Sequence, residues 1–438
     1  MPRLRVCASP SLKVCCSIEN QNLKSLSSFL PARVTPCILA SMFDPTIPVR
    51  HPGRICIIGG GGTGAALAYD LALRGFSVTL LEKGELTSGT TGRHHGQLHS
   101  GARYAVGDRA IARECMEETL VLRRIVPDAI EYNGGVFAAL SDDEADYTPA
   151  FIEACQEAGI PAREVPVAEA CFWEPAINSA ARRTVWVPDG SFDAFRLPLS
   201  FFAAARRLGA AIRPFTEVIG IEIGGGKVCA VLVRQAGSTT DERIECDYVV
   251  SATGAWAGVV GKLAGLDVPV TPAPGTMVAV RGRISDMVIS RLAPPGDGDI
   301  IVPQRGLSII GTTQRIVDNP DGILPVDEDV AFMLARADEL APGFSSRTVH
   351  AVWAAARPLA GRTSGDGRNI SRDFMVLDHA PEGVAGMATL IGGKATVLRA
   401  MAEKAADHVC QALGVMEPCR TRDFVLPSWR DWYAEVLP

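Results

Sequence analysis

The chain has 438 residues, 47% of them hydrophobic and 21% charged, with 43 Gly and 29 Pro, so it can bury a large core and is neither a disordered tail nor a small disulfide-stapled module. Lys plus Arg 43 against Asp plus Glu 49 gives a formal charge of −6, which argues against nucleic acid as the main partner because phosphate neutralisation needs a basic footprint. The longest stretch without a charged residue, Ile55 to Tyr69, has 15 residues, five of them glycine, short of the roughly 18 that a membrane-spanning helix needs.

The first 50 residues carry six Lys/Arg, seven Ser, four of the twelve Cys and two acids, Glu19 and Asp44. That basic, acid-poor composition fits an organelle transit peptide, and fits equally a start set too early, with Met42 the true beginning. Either way residues 1–41 are expected to stand outside the fold. Later cysteines such as Cys56, Cys115, Cys155 and Cys246 lack CxxC spacing, so reduced buried thiols are expected and no metal site. Length predicts two or three domains, since single cores stop growing at roughly 250–300 residues.

Arg54–Ile58 is a short β-branched apolar run and reads as a buried strand. Gly59-Gly-Gly-Gly-Thr-Gly64 follows, then helix-forming Ala65–Arg74 stopped by Gly75, then a second strand, Phe76–Leu81, ending in Glu82. This is a β-α-β unit. Gly59, Gly61 and Gly64 fit GxGxxG: a tight turn, close approach to a pyrophosphate, and close helix-on-strand packing, with the helix N-terminus facing the phosphates. Glu82, at the end of the second strand, suits the ribose of a dinucleotide. NAD and FAD share this fingerprint.

Thr87–Tyr104 holds His94, His95 and His99 among Gly and Thr, a composition wrong for a core strand or a surface helix. It lacks the interleaved carboxylate or Cys that a metal site would want. The alternative reading is a solvated surface loop. A Gly-punctuated β-meander is predicted from Val218 to Cys246. Tyr248–Gly254 follows as a strand ending in Ala252-Thr253-Gly254, and Thr389–Lys394 as a strand and double-Gly turn before a helix running to about Leu413. That helix N-terminus suits negative charge developing on a cofactor ring.

The segment Gly92-Arg-His-His-Gly-Gln-Leu-His-Ser-Gly-Ala-Arg-Tyr-Ala-Val106 closely resembles the motif of FAD-dependent glycerol-3-phosphate dehydrogenases, in particular the catalytic A subunit of the anaerobic enzyme. The resemblance continues through Glu174–Ile177, Val187–Gly190, Phe195–Leu197, Ile310–Thr313, Ala356–Leu359, Asn369–Asp373 and Gly392–Lys394, and covers roughly residues 54 to 428. It implies an α/β fold of the D-amino-acid-oxidase-like flavoproteins: a Rossmann-like FAD-binding domain of discontinuous segments (42–130, 196–266 and 346–420), a smaller antiparallel-sheet substrate domain (131–195 and 267–345) and a C-terminal tail (421–438).

The residues that the resemblance assigns to FAD are Gly59, Gly61, Thr63, Gly64, Glu82, Lys83, Thr90, Thr91, His95, Gly96, Ala252, Thr253, Gly254, Gly392, Gly393 and Lys394. Those assigned to substrate are Arg103, Tyr104, Arg357, Arg372 and Lys394. A phosphate dianion needs several cations converging, preferably planar Arg forks. The implied reaction oxidises sn-glycerol 3-phosphate, or a similar polyol phosphate, to dihydroxyacetone phosphate. A base takes the hydroxyl proton, for which His99 is the candidate and His95 the next, while Arg103, Arg357, Arg372 and Lys394 stabilise the alkoxide.

Electrons would pass to a quinone or an electron-accepting partner protein, in the cytoplasm with peripheral attachment to the inner membrane left open, or in a mitochondrion or chloroplast if residues 1–41 are a transit peptide. Two departures from the family stand out: Pro274-Gly-Thr276 replaces its Lys-Gly-Ser, and Ala395-Thr-Val-Leu-Arg399 lacks its Thr-Tyr pair. In the family, the anaerobic catalytic chain also continues into a cysteine-bearing redox domain past the position of Pro438. The rival readings are an FAD enzyme of 2-hydroxy or amino acids and an electron-transfer flavoprotein subunit.

Overall fold

The computed structural model describes Phe43, Pro45, residues 50–362 and residues 373–434; the expected leader and Arg372 lie outside these residues. Strand β1 (Arg54–Ile58), helix α1 (Gly62–Leu73) and strand β2 (Ser77–Leu81) form the expected unit, with β1 and β2 parallel. The helix starts three residues before the predicted Ala65, because the glycine turn itself closes into the first helical turn: the Ala65 amide donates to the Gly61 carbonyl at 2.9 Å. Side chains alternate along β1. Ile55 and Ile57 join one core, and Cys56 and Ile58 join another on the opposite face of the sheet.

The sheet has six strands in the order Phe374–Asp378, Met387–Gly392, Tyr248–Ser251, β1, β2, Ala211–Arg213. All pairings are parallel except that of Phe374–Asp378 with Met387–Gly392. One face packs against α1 and the helices Arg196–Arg207 and Leu398–Leu413. The meander Thr216–Gly224, Lys227–Gln235, Asp241–Glu245 covers the other, where the sequence predicted it. A parallel sheet covered on both faces can be apolar along whole strands, which is why these strands read as continuous runs.

A second sheet of eight strands runs Val349–Ala360, Val270–Arg281, Leu307–Gly311, Ile300–Gln304, Val288–Arg291, Gly135–Ala139, Arg183–Val187, Arg163–Val165. It is antiparallel except where Val288–Arg291 meets Gly135–Ala139. This corrects one expected boundary. Residues 349–360, assigned above to the FAD-binding segment that starts at 346, pair along their length with Val270–Arg281, from Val270 opposite Ala360 to Val280 opposite Val349. The run Val352–Ala356 is as apolar as a parallel-sheet strand; a partner some 80 residues away in sequence decides where it belongs.

Residues 421–434 of the expected tail are also part of the fold. Leu426 and Trp432 are buried in the first core, the Trp432 ring lies 5.8 Å from that of Phe202, tilted by 51°, and the Arg206 guanidinium lies 3.4 Å over the Trp432 ring. The helix expected straight after Lys394 begins as a 3₁₀ turn, Ala395–Val397, before the α-helix at Leu398. Among the described residues no helix is long and apolar enough to cross a membrane.

Arg399, 1% exposed, joins three of these pieces. Its Nε donates to Glu118 of helix Arg109–Ile125 at 2.7 Å and its Nη1 to the Thr421 hydroxyl at 3.0 Å, with Glu403 on the same helix. Removing one partner of a buried pair strands the other, so Glu118→Ala should lower stability by about 3–5 kcal/mol in urea unfolding. Replacing both, as Glu118→Met with Arg399→Leu, should cost much less.

Candidate active site

The carboxyl ends of β1, β2, Tyr248–Ser251 and Met387–Gly392 open into one cavity of about 910 Å³. Its far wall comes from the second sheet through Met277, Ile300, Gly311 and Arg357. β1 lies between a strand that follows it directly and one that arrives nearly 200 residues later, the crevice position at which open α/β sheets bind ligands.

Gly59 adopts φ +111°, and a Cβ there would lie 2.6 Å from the Ala252 carbonyl oxygen. Gly64 is tighter still, its Cβ falling 2.0 Å from the Gly59 carbonyl oxygen. Gly64 does not line the cavity, so its expected contact with the cofactor is corrected to strand–helix packing. Gly61 does line it and would meet only the Thr91 hydroxyl, at 3.1 Å. The N-cap residue of α1, Gly61, has no side chain to cap with, and the Gly62 amide donates to Thr91 Oγ1 at 3.0 Å. Glu82 closes the turn: its carboxylate accepts from the amides of Gly60 at 2.7 Å and Gly84 at 2.8 Å.

Lys83 is at the cavity rim, 4.8 Å over the Trp256 ring and 3.3 Å from Asp321, to which the Trp256 indole donates at 2.7 Å. Thr63, Thr90, Thr91, Ala252, Thr253, Gly254, Gly392 and Gly393 all line the wall. Gly96 does not. With φ +84° it turns the chain where a Cβ would strike Gln304, and its carbonyl takes the Phe192 amide, so it shapes the loop instead of touching the cavity.

The three histidines all line the cavity, and the surface-loop reading of their segment fails. Nδ1 of His94 accepts from the Gly96 amide at 2.8 Å, and Nδ1 of His95 from the Gln97 amide at 3.2 Å, so each neutral ring carries its proton on Nε2. Burial pushes His94 down to about 4. Burial, with His94, Arg103 and Arg357 adding to it, pushes His95 down to about 3. His99 is held well below the usual histidine range by burial first, then by His95, Arg103 and Lys394. Its amide donates to Thr396, and its carbonyl accepts from Thr119.

Asp189 anchors this loop, accepting from the Ser100 amide at 2.7 Å, the Ser100 hydroxyl at 2.6 Å and the Gln97 side chain at 2.7 Å. Burial raises its carboxyl above the usual range against those hydrogen bonds. Three expected substrate cations meet at the cavity. Arg103 donates to the Gly296 carbonyl at 2.9 Å and to Asp299 at 3.0 Å. Arg357 donates to the Thr313 carbonyl at 2.8 Å, and Lys394 lies 4.9 Å over the ring of Tyr104, its pKa lowered by burial. Sequence reasoning missed Trp256, Asp189 and Asp299. Asp189 lies inside the quoted Val187–Gly190 stretch, a usable signal; nothing local marks the other two.

A family described as DAO, FAD-dependent oxidoreductase, matches residues 54–399. The chain belongs to this family. It is 43% identical to the A1 subunit of the anaerobic glycerol-3-phosphate dehydrogenase of Haloferax volcanii, over 88% of this chain and 68% of that protein. With the A subunit of the anaerobic enzyme from Escherichia coli K12 it shares 40% over 85% and 70%. Among solved structures it resembles the glycerol-3-phosphate dehydrogenase from Bacillus halodurans complexed with FAD (TM-score 0.66, 23% identity, 85% of this chain and 67% of that one). It resembles equally the glycine oxidase from Geobacillus kaustophilus (TM-score 0.67, 24% identity, 86% and 99%). At those identities the structural likeness speaks to fold alone.

The cavity fits FAD, the cofactor of the family. The N-terminus of α1, with Gly61 and Thr63 on the cavity, suits a pyrophosphate, and Glu82 at the end of β2 suits a ribose. On cavity-lining residues, His94 Nε2, Gln97 Oε1 and Arg103 Nη1 are buried without a partner among the described residues, which asks for a ligand rich in donors and acceptors.

Two glycine variants should behave differently. Gly61→Val should give a soluble protein that purifies with little flavin, because its side chain enters space the protein leaves open; Gly64→Ala should instead lower the melting temperature of the apoprotein. A fully yellow Gly61→Val would overturn the placement. The histidines predict a pH dependence. Unfolded His94 and His95 take up protons near pH 6.5, whereas folded they resist until about pH 4 and 3. The unfolded chain therefore binds more protons in that window, and stability should fall as pH drops from 6.5 toward 4. His94→Gln with His95→Gln should flatten that slope in thermal melts.

Proposed function

We propose that this FAD-dependent oxidoreductase oxidises the secondary hydroxyl of sn-glycerol 3-phosphate, giving dihydroxyacetone phosphate. The observation that carries the reading is the gathering of Arg103 from the His loop, Arg357 from the second sheet and Lys394 from the turn after the first-sheet strand Met387–Gly392 on one cavity, in a chain of net charge −6. The names of its relatives in Haloferax volcanii and Escherichia coli support the same substrate.

Bound FAD would supply the hydride acceptor. The chain's own residues do the rest. Arg103 and Arg357 present guanidinium groups held by Asp299 and by main-chain carbonyls, so that their forks are oriented before substrate arrives. His99, neutral at physiological pH, is able to accept the hydroxyl proton, and the cations that depress it would also stabilise an alkoxide. His95, with its proton fixed on Nε2, is a hydrogen-bond donor to whatever oxygen or nitrogen faces it. Electrons leave to a quinone or to an electron-accepting partner protein; that both relatives are named as one subunit of an enzyme supports such a partner.

Truncating a cation should remove a charge-assisted contact of about 1.5–3 kcal/mol, or roughly ten- to a hundredfold in catalytic efficiency. Arg357→Gln should therefore slow flavin reduction by glycerol 3-phosphate while leaving the slow reaction of free glycerol much less affected. Arg357→Lys should not restore it fully, since a point charge cannot copy a planar fork. Stopped-flow reduction with glycerol 3-phosphate, glycerol, lactate and 2-hydroxyglutarate reads this out. Faster reduction of the wild type by a hydroxycarboxylate would favour the acid-oxidising rival, and reduction by none of them the electron-transfer flavoprotein.

A further inference from the structure

We propose that Asp299 is the positioning residue for Arg103, holding its guanidinium by one nitrogen so that the rest of the fork stays available for the substrate phosphate; the inference rests on the reading of the site given above. Asp299 is 2% exposed at the entry to strand Ile300–Gln304, and Arg103 lines the cavity with a side chain 9% exposed. The contact is one-sided. Asp299 Oδ2 takes Arg103 Nη2 at 3.0 Å and the Gly296 amide at 2.7 Å, and the same Nη2 also donates to the Gly296 carbonyl. Nη1 has no partner among the described residues.

A buried carboxylate beside a guanidinium ordinarily takes both forward nitrogens in parallel, which satisfies the fork and neutralises it. Here the other oxygen is already engaged: Oδ1 accepts Arg336 Nη2 at 3.0 Å. Arg336 is held in turn by Glu339 at 2.8 Å, Glu339 pairs with Arg291, and Arg291 reaches Glu144 at 2.5 Å. Glu144 accepts the Leu140 amide at 2.6 Å, in the first turn of helix Asp142–Glu157. Charges of alternating sign thus run from the cavity wall to a helix start. Because Asp299 is shared between two arginines, it fixes Arg103 in place without cancelling its charge. Arg336 does not line the cavity, and its hydrogen bond to Asp299 is the link by which it bears on Arg103.

The test is a double-mutant cycle on flavin-loaded enzyme. Binding of dihydroxyacetone phosphate to the oxidised form, followed by calorimetry, gives a readout independent of turnover; KM and kcat for glycerol 3-phosphate are measured alongside. Asp299→Asn should raise the dissociation constant and KM roughly tenfold, about one charge-assisted contact, while kcat changes less than about threefold. In an Arg103→Gln background the same substitution should add less than about twofold. Arg336→Gln frees Oδ1 to take the fork from both sides, so it too should weaken binding severalfold, and again only when Arg103 is present.

Unchanged binding in both variants, or equal losses with and without Arg103, would overturn the proposal. If Asp299→Asn purifies without flavin, the Arg336→Gln arm decides the matter. Should the wild type ignore both phosphates yet be reduced by lactate or 2-hydroxyglutarate, the substrate reading fails on its own, and the same cycle run with that acid still judges Asp299.

Discussion

The carbonyl oxygen of Gly59 lies 2.0 Å from where a Cβ on residue 64 would be, and the rest of the site depends on that contact being possible. It lets α1 lie directly on β1 and points the start of that helix into the cavity. The same turn gathers three other parts of the chain. A Cβ on Gly59 would collide with the Ala252 carbonyl, one on Gly60 with the Glu82 side chain at 2.8 Å, and one on Gly62 would press on Leu398 at 3.2 Å. Residues more than 300 apart in sequence therefore meet around a few missing side chains, because backbone approaches closest where there is no Cβ.

The cations around the cavity obey an electrostatic constraint. Burying an unpaired cation costs several kcal/mol, and each of the three substrate cations has support: a carboxylate for Arg103, a main-chain carbonyl for Arg357 and an aromatic face for Lys394 among them. None of the three supports named here is a close two-pronged carboxylate that would use up a fork. A glycine oxidase shares the fold, so the fold alone does not choose a substrate. The choice falls to the charges set into the His loop, the second sheet and the turn after Met387–Gly392.

What could be read from the sequence follows the range of the interactions. The β1–α1–β2 unit was legible because its signals are local: β-branched runs, glycine spacing, and an acid at a strand end. The loop at His94–Tyr104 was legible from composition, which was wrong for core and for surface alike. Strand Val349–Ala360 was misplaced because apolar runs in parallel and antiparallel sheets look the same until their partners are known. The C-terminal residues read as a tail because the partners of Trp432, Phe202 and Arg206, are more than 200 residues earlier. Gly64 and Gly96 carried the right residue type for a cofactor site while serving the turn that builds it. Asp299 and Trp256 had no local mark at all, since each acquires its meaning only from the side chain it meets across the cavity wall.

The proton acceptor and the substrate cations form one system. Burial is the larger force holding His99 neutral, and the positive neighbours Arg103 and Lys394 deepen the effect. A like charge nearby disfavours the protonated ring, so these cations work in the same direction as burial. On the proposed reading, a phosphate dianion arriving at these cations offsets their field, while burial is unchanged or increased. The part of the depression of His99 that comes from its charged neighbours is then relieved, which makes the ring a stronger base once the substrate is in place. A ligand that brings no anion leaves the ring at its weakest. The cations thereby favour a charged substrate twice, by direct attraction and by the basicity that its binding restores to the imidazole.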